Sequence, residues 1–246
     1  MKSVGIVIPA YNESENIVKL IRTIRKCLKC LIIIVDDSSN LKTKKIISKS
    51  KLKNIKYFHR GKKLGRGSAV IFGFKKILII KKNINCLIEM DADLSHNPYE
   101  LKRNIKYFYR KSLDLLIGSR YLNESKIINW PISRRILSKM SNMLARVLIG
   151  VPVSDYTNGF RFYSSSAAKT IIAKCNNTKG GFIILSEIIL VLWSNNYKIS
   201  EIKSIFRNRV RGESTVNINL VISSLIGLFK LYLLKKNFQK KFSKKI

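Results

Sequence analysis

The amino-acid sequence predicts an α/β protein with a mostly parallel central sheet flanked by helices. Short runs rich in Val, Ile and Leu recur along the first half of the chain, and each ends in a polar cluster. Segments with apolar residues at helical spacing separate these runs. The runs themselves are apolar on both faces, which is typical of strands in a parallel sheet that helices cover on both sides.

Five stretches contain the predicted strands: VGIVIPAY, whose apolar run stops at Pro9, LIIIVDDSS, NIKYFHR, INCLIEMDAD and LDLLIGSRY. The first is followed by a segment with apolar residues at positions 17, 20, 21 and 24, which is helical spacing. The second is followed by the basic helix KTKKIISKSK. After the third strand, GKKLGRGSA is a glycine-rich loop that opens into a helix. The second half is less regular, with the motif SDYTNGFRFY and an apolar helical run around Glu187.

A chain of 246 residues fits one domain. We expect a single domain over residues 1–215 and a basic amphipathic tail over 216–246. The tail run INLVISSLIGLFKLYLLKK is shorter than the roughly 20 apolar residues of a membrane span, and polar residues interrupt it. An interfacial helix is favoured, ahead of a partner-binding helix and a span. Its expected apolar stripe consists of Ile218, Ile222, Leu225, Ile226, Phe229 and Leu233. Packing of this stripe on the protein's own core is the alternative to docking on a membrane or a membrane partner.

The net charge of +34, from 48 Lys and Arg against 14 Asp and Glu, indicates attraction to polyanions. Drift of the surface towards lysine in an AT-rich genome explains the same charge. A nucleic-acid partner is not expected, because no basic motif with interleaved aromatic residues is present. The start MKSVGIVIP leaves no room for a signal peptide, and a lone Cys27-x-x-Cys30 pair favours reduced thiols. We therefore expect a cytoplasmic protein.

The polar clusters are predicted to meet at one edge of the sheet. In parallel sheets, ligands bind beyond the carboxyl ends of the strands. Four clusters follow strand ends: Pro9 to Glu13, Asp36 with Asp37, Asp91 with Asp93, and Ser119 with Arg120. Two carboxylates one residue apart offer hard oxygen ligands to Mg²⁺, which completes its shell with water and phosphate. The glycine loop could wrap a phosphate with its backbone N–H groups.

The order of several motifs resembles the polyprenyl-phosphate (dolichyl-phosphate) mannosyltransferases, which are inverting glycosyltransferases with a GT-A fold. The resemblance runs from about Val4 to Ser214. The motifs are PAYNE (9–13), VDDSS (35–39), KKLGRGSA (62–69), MDADLSHNP (90–98), GSRY (118–121), WPISRR (130–135), SDYTNGFRFY (154–163) and RVRGES (209–214). The family implies a nucleotide-sugar donor, usually GDP-mannose, a polyprenyl-phosphate acceptor, and Mg²⁺ or Mn²⁺. It also implies that the protein acts at the cytosolic face of a membrane, either on the bilayer surface or together with a small membrane partner subunit.

The resemblance also implies roles for individual residues. The nucleoside pocket would be lined by Pro9, Tyr11, Glu13, Val35 and Asp37. The diphosphate would be held through a metal by Asp91, Ala92 and Asp93, with Ser95 as a further metal ligand. Phosphate would be met by Arg120 and Arg134, and the loop that closes over both substrates would carry Arg209. The catalytic set is then Asp93, Arg120 and Arg134.

Two positions depart from the family's late motif, which usually reads aromatic-Gly-Glu-Ser-Lys. Arg211 replaces the aromatic residue, and Thr215 replaces the lysine. Another donor such as UDP-glucose therefore remains an alternative, as does a decayed enzyme. A non-catalytic basic protein that binds nucleic acid is the alternative from a different class.

Overall fold

The computed structural model describes residues 3–175, 183–208 and 226–236. Its strands are β1 (Ser3–Ala10), β2 (Leu31–Asp36), β3 (Ile55–His59), β4 (Ile84–Glu89), β5 (Leu115–Ser119), β6 (Lys126–Ile128), β7 (Arg161–Ser164), β8 (Ile199–Lys203) and β9 (Ile205–Arg207). Its helices are α1 (Ile17–Cys27), α2 (Lys42–Lys49), α3 (Arg66–Ile80), α4 (Leu101–Arg110), α5 (Ile132–Ile149), α6 (Ser165–Lys174), α7 (Ile183–Ser194) and α8 (226–236).

Seven strands form one sheet in the order β3-β2-β1-β4-β7-β5-β8. All neighbours pair in parallel except β7, which is antiparallel to both β4 and β5. The prediction of a mostly parallel α/β sheet is confirmed, and so are all five predicted strands and the helix around Glu187. The strands β7 and β8 are additional to those predicted. Because β7 lies between β4 and β5, the motif SDYTNGFRFY is brought to the centre of the sheet.

Both faces of the sheet are buried, as the apolar runs predict. Alternate residues of β1 and β2 enter two separate hydrophobic clusters, with Val7 and Ile33 on one side and Ile6 and Ile32 on the other. The first side is covered by α3, α5, α6 and α7, and the second by α1 and α4. The helix α3 comes so close to β1 that a side chain at Gly73 would collide with Val7. All four cysteines are free and buried, which agrees with the expectation of reduced thiols.

The carboxyl ends of β1, β2, β4 and β5 lie at the same edge of the sheet, because these strands run in one direction. A second, two-stranded sheet of β6 and β9 is joined to this edge. Its Phe206 forms a bridge with His96, and the N–H of Arg207 donates to Ser95 O at 3.0 Å. The predicted convergence of the four polar clusters is therefore confirmed.

The part of the expected tail that the structure describes is α8. Leu228 and Leu231 are buried in the core, whereas the stripe residues Ile226, Phe229 and Leu233 are exposed. The other stripe residues, Ile218, Ile222 and Leu225, lie outside the described residues. Among the helices of the described ranges, none is both long and apolar enough to cross a membrane.

Candidate active site

The glycine loop encloses the carboxylate of Asp37, which directly follows β2. Arg60 donates from Nε to Oδ1 at 2.5 Å and from Nη2 to Oδ2 at 2.7 Å. The backbone N–H groups of Leu64 and Gly65 also donate to Oδ2, at 2.9 and 3.1 Å. The loop is expected to wrap a phosphate, but these two N–H groups hold a carboxylate of the protein itself. Asp37 therefore fixes the shape of the loop.

The remaining residues assigned to the nucleoside pocket lie beside Asp37. Pro9 of β1 is the register partner of Val35 of β2, which is buried. Tyr11 follows β1 with 46% of its surface exposed, and Glu13 is half-buried in the loop before α1. The structure thus brings all five residues to the ends of β1 and β2. Their contact with a nucleoside stays a prediction.

A buried ionic cluster links the start of α3 to the acidic turn after β4. Arg66 donates from Nε and Nη2 to Asp91 Oδ1 at 2.9 and 2.6 Å, and from Nη1 to Glu89. Glu89 is fully buried and also accepts a hydrogen bond from Tyr163 OH at 2.8 Å. Burial opposes the charge of the guanidinium, but the two carboxylates outweigh this effect and raise the pKa of Arg66. Arg66 therefore stays protonated and fixes the position of Asp91.

Gly159 makes room for this cluster. A Cβ atom at Gly159 would overlap the guanidinium of Arg66. The glycine of the SDYTNGFRFY motif is therefore required by the close approach of a cation from a distant part of the chain.

His96 is held in one tautomer. Its Nδ1 accepts from the backbone N–H of Asp91 at 3.1 Å, so the proton of the neutral ring lies on Nε2. Nε2 faces Asn158 Oδ1 at 2.9 Å, and the side-chain amide of Asn158 donates to Gly118 O. The ring is buried and stacked on Phe160. His96 therefore connects β4 and β5 with the loop that precedes β7 (residues 150–160, the β7 loop). Both of its nitrogens are engaged in structural contacts.

The turn from Asp91 to Ser95 supplies oxygen atoms suited to a divalent cation. Asp93 is buried, and its Oδ1 accepts from the N–H of Ser95 at 3.0 Å. Ser95 Oγ is buried and has no hydrogen-bond partner among the described residues, which is typical of an atom that binds an ion or water. Ala92 is buried between the two aspartates. Two carboxylates and a hydroxyl fit Mg²⁺ or Mn²⁺.

These protein oxygens would not fill a metal shell by themselves. Within the described parts of the chain, no group of three or more His, Cys, Asp or Glu residues is placed to hold a metal. Mg²⁺ commonly binds through one or two carboxylates and takes its other ligands from water and substrate phosphates. The acidic turn is therefore suited to a metal that arrives with a phosphate ligand.

Arg120 forms a buried ion pair with Asp155. Its backbone N–H and Nε donate to Asp155 Oδ2 at 2.9 and 2.8 Å, and Nη2 donates to Oδ1 at 2.7 Å. Burial would raise the pKa of Asp155, but the charge and hydrogen bonds of Arg120 outweigh burial and lower it. Thr157 Oγ1 accepts a further bond from Nη2 at 2.6 Å. The structure assigns Arg120 a role in positioning the β7 loop, and its contact with phosphate stays a prediction.

Arg134 lies in the first turn of α5 and is connected to the acidic turn by aromatic rings that pack edge to face. Its guanidinium carbon is 4.2 Å from the centre of the Trp130 ring. Trp130 packs on Phe206 at 5.2 Å, and Phe206 packs on His96 at 5.7 Å between ring centres. Arg134 Nη1 also donates to Asn208 Oδ1 at 3.2 Å. The site thus has a half-buried arginine on one side and carboxylates on the other.

Arg209 lies outside the described residues, so its expected role on a closing loop stays a prediction. The site also contains residues that were not predicted, among them Arg66, Asp155 and Asn158. Their motifs stand out in the sequence, because the glycine loop contains three cations and SDYTNGF is rich in polar residues. The pairs they form join positions 25 to 62 residues apart, and nothing in the local pattern specifies such partners.

Comparison with known proteins decides the family. The model of glycosyl transferase family 2 matches residues 5–172. The chain belongs to glycosyl transferase family 2. This glycosyltransferase is 32% identical over 216 residues to the polyprenol monophosphomannose synthase of Mycolicibacterium smegmatis, a match that covers 86% of this chain and 80% of the relative. It is also 32% identical over 235 residues to the dolichol-phosphate mannosyltransferase of Pyrococcus furiosus. That match covers 93% of this chain and 63% of the relative, which is therefore considerably longer.

Solved structures confirm the GT-A fold of this family 2 glycosyltransferase. Glucosyl-3-phosphoglycerate synthase of Mycobacterium tuberculosis, solved with Mn²⁺, UDP and glucosyl-3-phosphoglycerate, superposes with a TM-score of 0.66 at 15% identity. The match covers 95% of this chain and 80% of that chain. A mannosyltransferase of Pyrobaculum calidifontis, solved with GDP-Man and Mn²⁺, gives a TM-score of 0.59 at 11% identity, over 92% and 63% of the two chains.

Proposed function

We propose that this glycosyltransferase transfers a mannosyl residue from GDP-mannose to a polyprenyl phosphate such as dolichyl phosphate, with inversion at the anomeric carbon. The observation that carries the proposal is the 32% identity to polyprenol monophosphomannose synthase over 86% of the chain. The geometry supports it, because an acidic turn suited to a metal–diphosphate and a cationic Arg134 lie at the same edge of the sheet.

The donor would bind at the ends of β1, β2 and β4. Asp91, Asp93 and Ser95 would hold Mg²⁺ or Mn²⁺, which when bound would stabilise the negative charge of the departing diphosphate. Arg66 keeps the Asp91 carboxylate in one orientation by binding Oδ1 twice. A carboxylate that is held before the donor arrives needs no reorganisation during the reaction.

The acceptor supplies its own nucleophile. A phosphate monoester has a second pKa near 6, so at neutral pH its oxygen is largely ionised. This oxygen would attack C1 of the mannosyl group from the face opposite the diphosphate. The new C1–O bond forms as the old one breaks, and GDP leaves with the bonding electron pair. No proton needs to be removed, which agrees with a site whose His96 has both nitrogens engaged.

Arg134 would position the acceptor phosphate. Its guanidinium carbon lies 4.2 Å from the centre of the Trp130 ring, and Nη1 donates to Asn208 Oδ1 at 3.2 Å, so two contacts hold the cation in place. A guanidinium binds phosphate through two parallel hydrogen bonds, which sets both distance and angle. Arg209, at the start of the RVRGES motif, would complete the site from the loop that is expected to close over both substrates.

A lipid acceptor would place the reaction at a membrane. We propose that the enzyme works peripherally at the cytosolic face, either on the bilayer itself or with a small membrane partner subunit. The surplus of 34 positive charges supports attraction to an anionic bilayer.

A panel of radiolabelled donors tests the proposal. The protein is incubated with polyprenyl phosphate in detergent, MgCl₂ or MnCl₂, and either GDP-mannose or UDP-glucose. We expect label in the lipid extract with GDP-mannose, none in EDTA, and a β-linked product from the α-linked donor. Transfer from UDP-glucose alone would instead establish the alternative donor. This alternative is tested because Thr215 stands where the family usually has a lysine. No transfer from any donor would refute the enzymatic proposal.

A further inference from the structure

The helix α5 carries a row of exposed apolar side chains along its whole length. The row consists of Ile132, Ile136, Met140, Met143 and Val147, which are between 55% and 74% exposed. At the α-helical rotation of about 100° per residue, all five fall within an arc of about 80°. The opposite face of α5 is buried through Asn142, Ala145 and Ile149. A continuous exposed apolar row on a helix whose other face is packed indicates an interaction surface.

A row of cations runs beside the apolar row. Arg135, Lys139 and Arg146 are exposed, and the same rotation places them within an arc of about 40° next to the apolar side chains. The 18 residues of α5 include no Asp or Glu. A helix with apolar residues on one side and only Lys and Arg on its polar flank is typical of helices that lie in the plane of an anionic bilayer surface.

The neighbouring helix α8 has the same character. Its exposed apolar residues are Ile226, Phe229 and Leu233, and it too has no acidic residue. The two helices come together at the end of α5, where a Cβ atom on Gly150 would lie 2.6 Å from Lys235 Nζ. The exposed Lys230 and Lys236 add two further cations. The apolar and basic surface of α5 therefore continues towards α8.

We propose that α5 docks on an anionic lipid bilayer, with its apolar row at the acyl boundary and its cations among the headgroups. A second copy of the chain is a poor occupant, because it would bring two molecules of net charge +34 together. The helix is about 27 Å long, and a straight apolar row of that length suits a flat surface. This inference gives a structural basis to the membrane location proposed above, and its tests contain neither donor nor acceptor.

A fluorescent probe tests where the protein touches the bilayer. The four native cysteines are buried, so a single introduced cysteine can be labelled selectively with an NBD dye. Met143→Cys places the dye in the apolar row. Ile46→Cys on α2 is the control, because α2 packs on the other face of the sheet through Ile47. With vesicles of phosphatidylcholine and phosphatidylserine in a ratio of about 7:3, we expect a blue shift and higher intensity at position 143 and no change at 46. Equal responses at both positions would overturn the proposal.

Flotation with the same vesicles measures the strength of binding. The triple variant Ile136→Ser/Met140→Ser/Met143→Ser keeps the net charge, and we expect its partition coefficient to fall by more than about tenfold. Arg135→Gln/Lys139→Gln/Arg146→Gln should lose about fivefold per charge, or about a hundredfold in all, on anionic vesicles. Ile46→Ser should float like the unchanged protein.

Two results would refute the inference. If the serine triple variant floats as well as the unchanged protein, the general positive charge of the surface binds the vesicles without α5. If the unchanged protein instead sediments as a dimer that the serine substitutions dissociate, the apolar row is a contact between copies. Binding of a donor nucleotide should be the same in all variants, so a failure here would not bear on the enzymatic proposal.

Discussion

At the scale of single residues, Arg66 is what allows Glu89 to be buried beside the acidic turn. Glu89 is fully buried, and its partners are this guanidinium and the hydroxyl of Tyr163. Removing one partner of a buried ion pair usually costs about 3–5 kcal/mol, because the remaining charge is left without compensation. The cluster therefore couples the stability of the fold to the position of Asp91.

A double-mutant cycle measures this coupling. We expect Arg66→Gln to lower the free energy of unfolding by about 3–5 kcal/mol, since Glu89 then has no cationic partner. The double variant Arg66→Gln/Glu89→Gln should lose less than the sum of the single variants, with a coupling free energy of about 1–3 kcal/mol. Urea unfolding at pH 7 provides the values. If the losses in the two single variants add up to the loss in the double variant, Arg66 and Glu89 are not energetically coupled.

Asp93 is expected to be essential for transfer. Asp93→Asn keeps a side-chain oxygen for the N–H of Ser95, so the turn should hold its shape. It removes a charged metal ligand, and metal-ion stabilisation of a leaving group is worth several kcal/mol, or at least about a hundredfold in rate. Initial rates and Mn²⁺ binding by electron paramagnetic resonance should both fall. An unchanged rate in EDTA would exclude the metal role.

Two substitutions of Arg134 separate the contribution of its charge from the contribution of its planar shape. Arg134→Lys keeps the charge but loses the planar fork, so we expect it to restore little of the activity lost in Arg134→Ala. Loss of a charge-assisted contact with phosphate corresponds to about 1.5–3 kcal/mol, or roughly tenfold to a hundredfold in kcat/KM for the lipid acceptor. Thermal unfolding should be little affected because this side chain is half-buried. Wild-type kinetics in both variants would remove Arg134 from the site.

At the scale of elements, the loop between α5 and β7 is held to β5 by the pair of Arg120 and Asp155. Glu201 of β8 accepts hydrogen bonds from the N–H groups of Ser154 and Asp155 at 2.7 and 2.9 Å. The loop is thus fixed to two neighbouring strands. Its contacts position Asn158, which in turn holds His96.

Because of the ion pair between Arg120 and Asp155, part of the free energy of unfolding should depend on pH in the acid range. Arg120 lowers the pKa of Asp155 in the folded state, so the stabilisation is complete above the unfolded pKa of about 3.9 and is lost as the pH falls below it. At pH 7 we expect Asp155→Asn to cost about 3–5 kcal/mol, because Arg120 stays buried without a counter-charge. The difference in free energy of unfolding between Asp155→Asn and the unchanged protein should become smaller towards about pH 2. A constant difference in urea unfolding across this range would contradict the assignment.

The sequence predicts the elements whose patterns are local. The five parallel strands are short apolar runs that end in polar residues, and their carboxyl ends share one edge as expected. The strand β7 escapes prediction because its pairing is long-range, with Arg161 opposite both Glu89 and Ile117. The residues of the site fall into the same two groups, those that a local motif specifies and those that long-range packing brings together. Asp91 and Asp93 follow from one motif, whereas the pairing of Arg66 with Asp91 depends on how α3 packs on the sheet.

At the scale of the whole molecule, the charge imbalance opposes folding. With 48 basic and 14 acidic residues, most cations have no acidic partner and repel one another. Salt largely screens the repulsion between exposed charges that lie farther apart than the Debye length, which is about 10 Å at 0.1 M. We therefore expect salt to stabilise the folded protein, because the screened repulsion outweighs the screened attraction. The attraction that is lost comes from exposed ion pairs such as Lys203 with Glu124.

Thermal unfolding at increasing ionic strength tests this expectation. Between low salt and about 0.3 M NaCl we expect the melting temperature to rise, with each gain of about 1 kcal/mol raising it by about 2–4 °C. Sodium sulfate should be avoided, because it stabilises proteins by exclusion as well as by screening. A melting temperature that falls with NaCl would show that the ion pairs outweigh the repulsion.

The central position of β7 also governs how the chain folds during its synthesis. The strands β1 to β4 can pair with one another once residue 89 has emerged from the ribosome, because each has a neighbour among the four. The strand β5 has only β7 and β8 as neighbours in the sheet described here, and β7 is translated about 40 residues later, or about 2–8 s at ordinary rates. During this interval the apolar run LLIGS and the edge of β4 are open to other chains. A ribosome that pauses between residues 119 and 161 would therefore prolong the stage at which the nascent protein is most prone to aggregate.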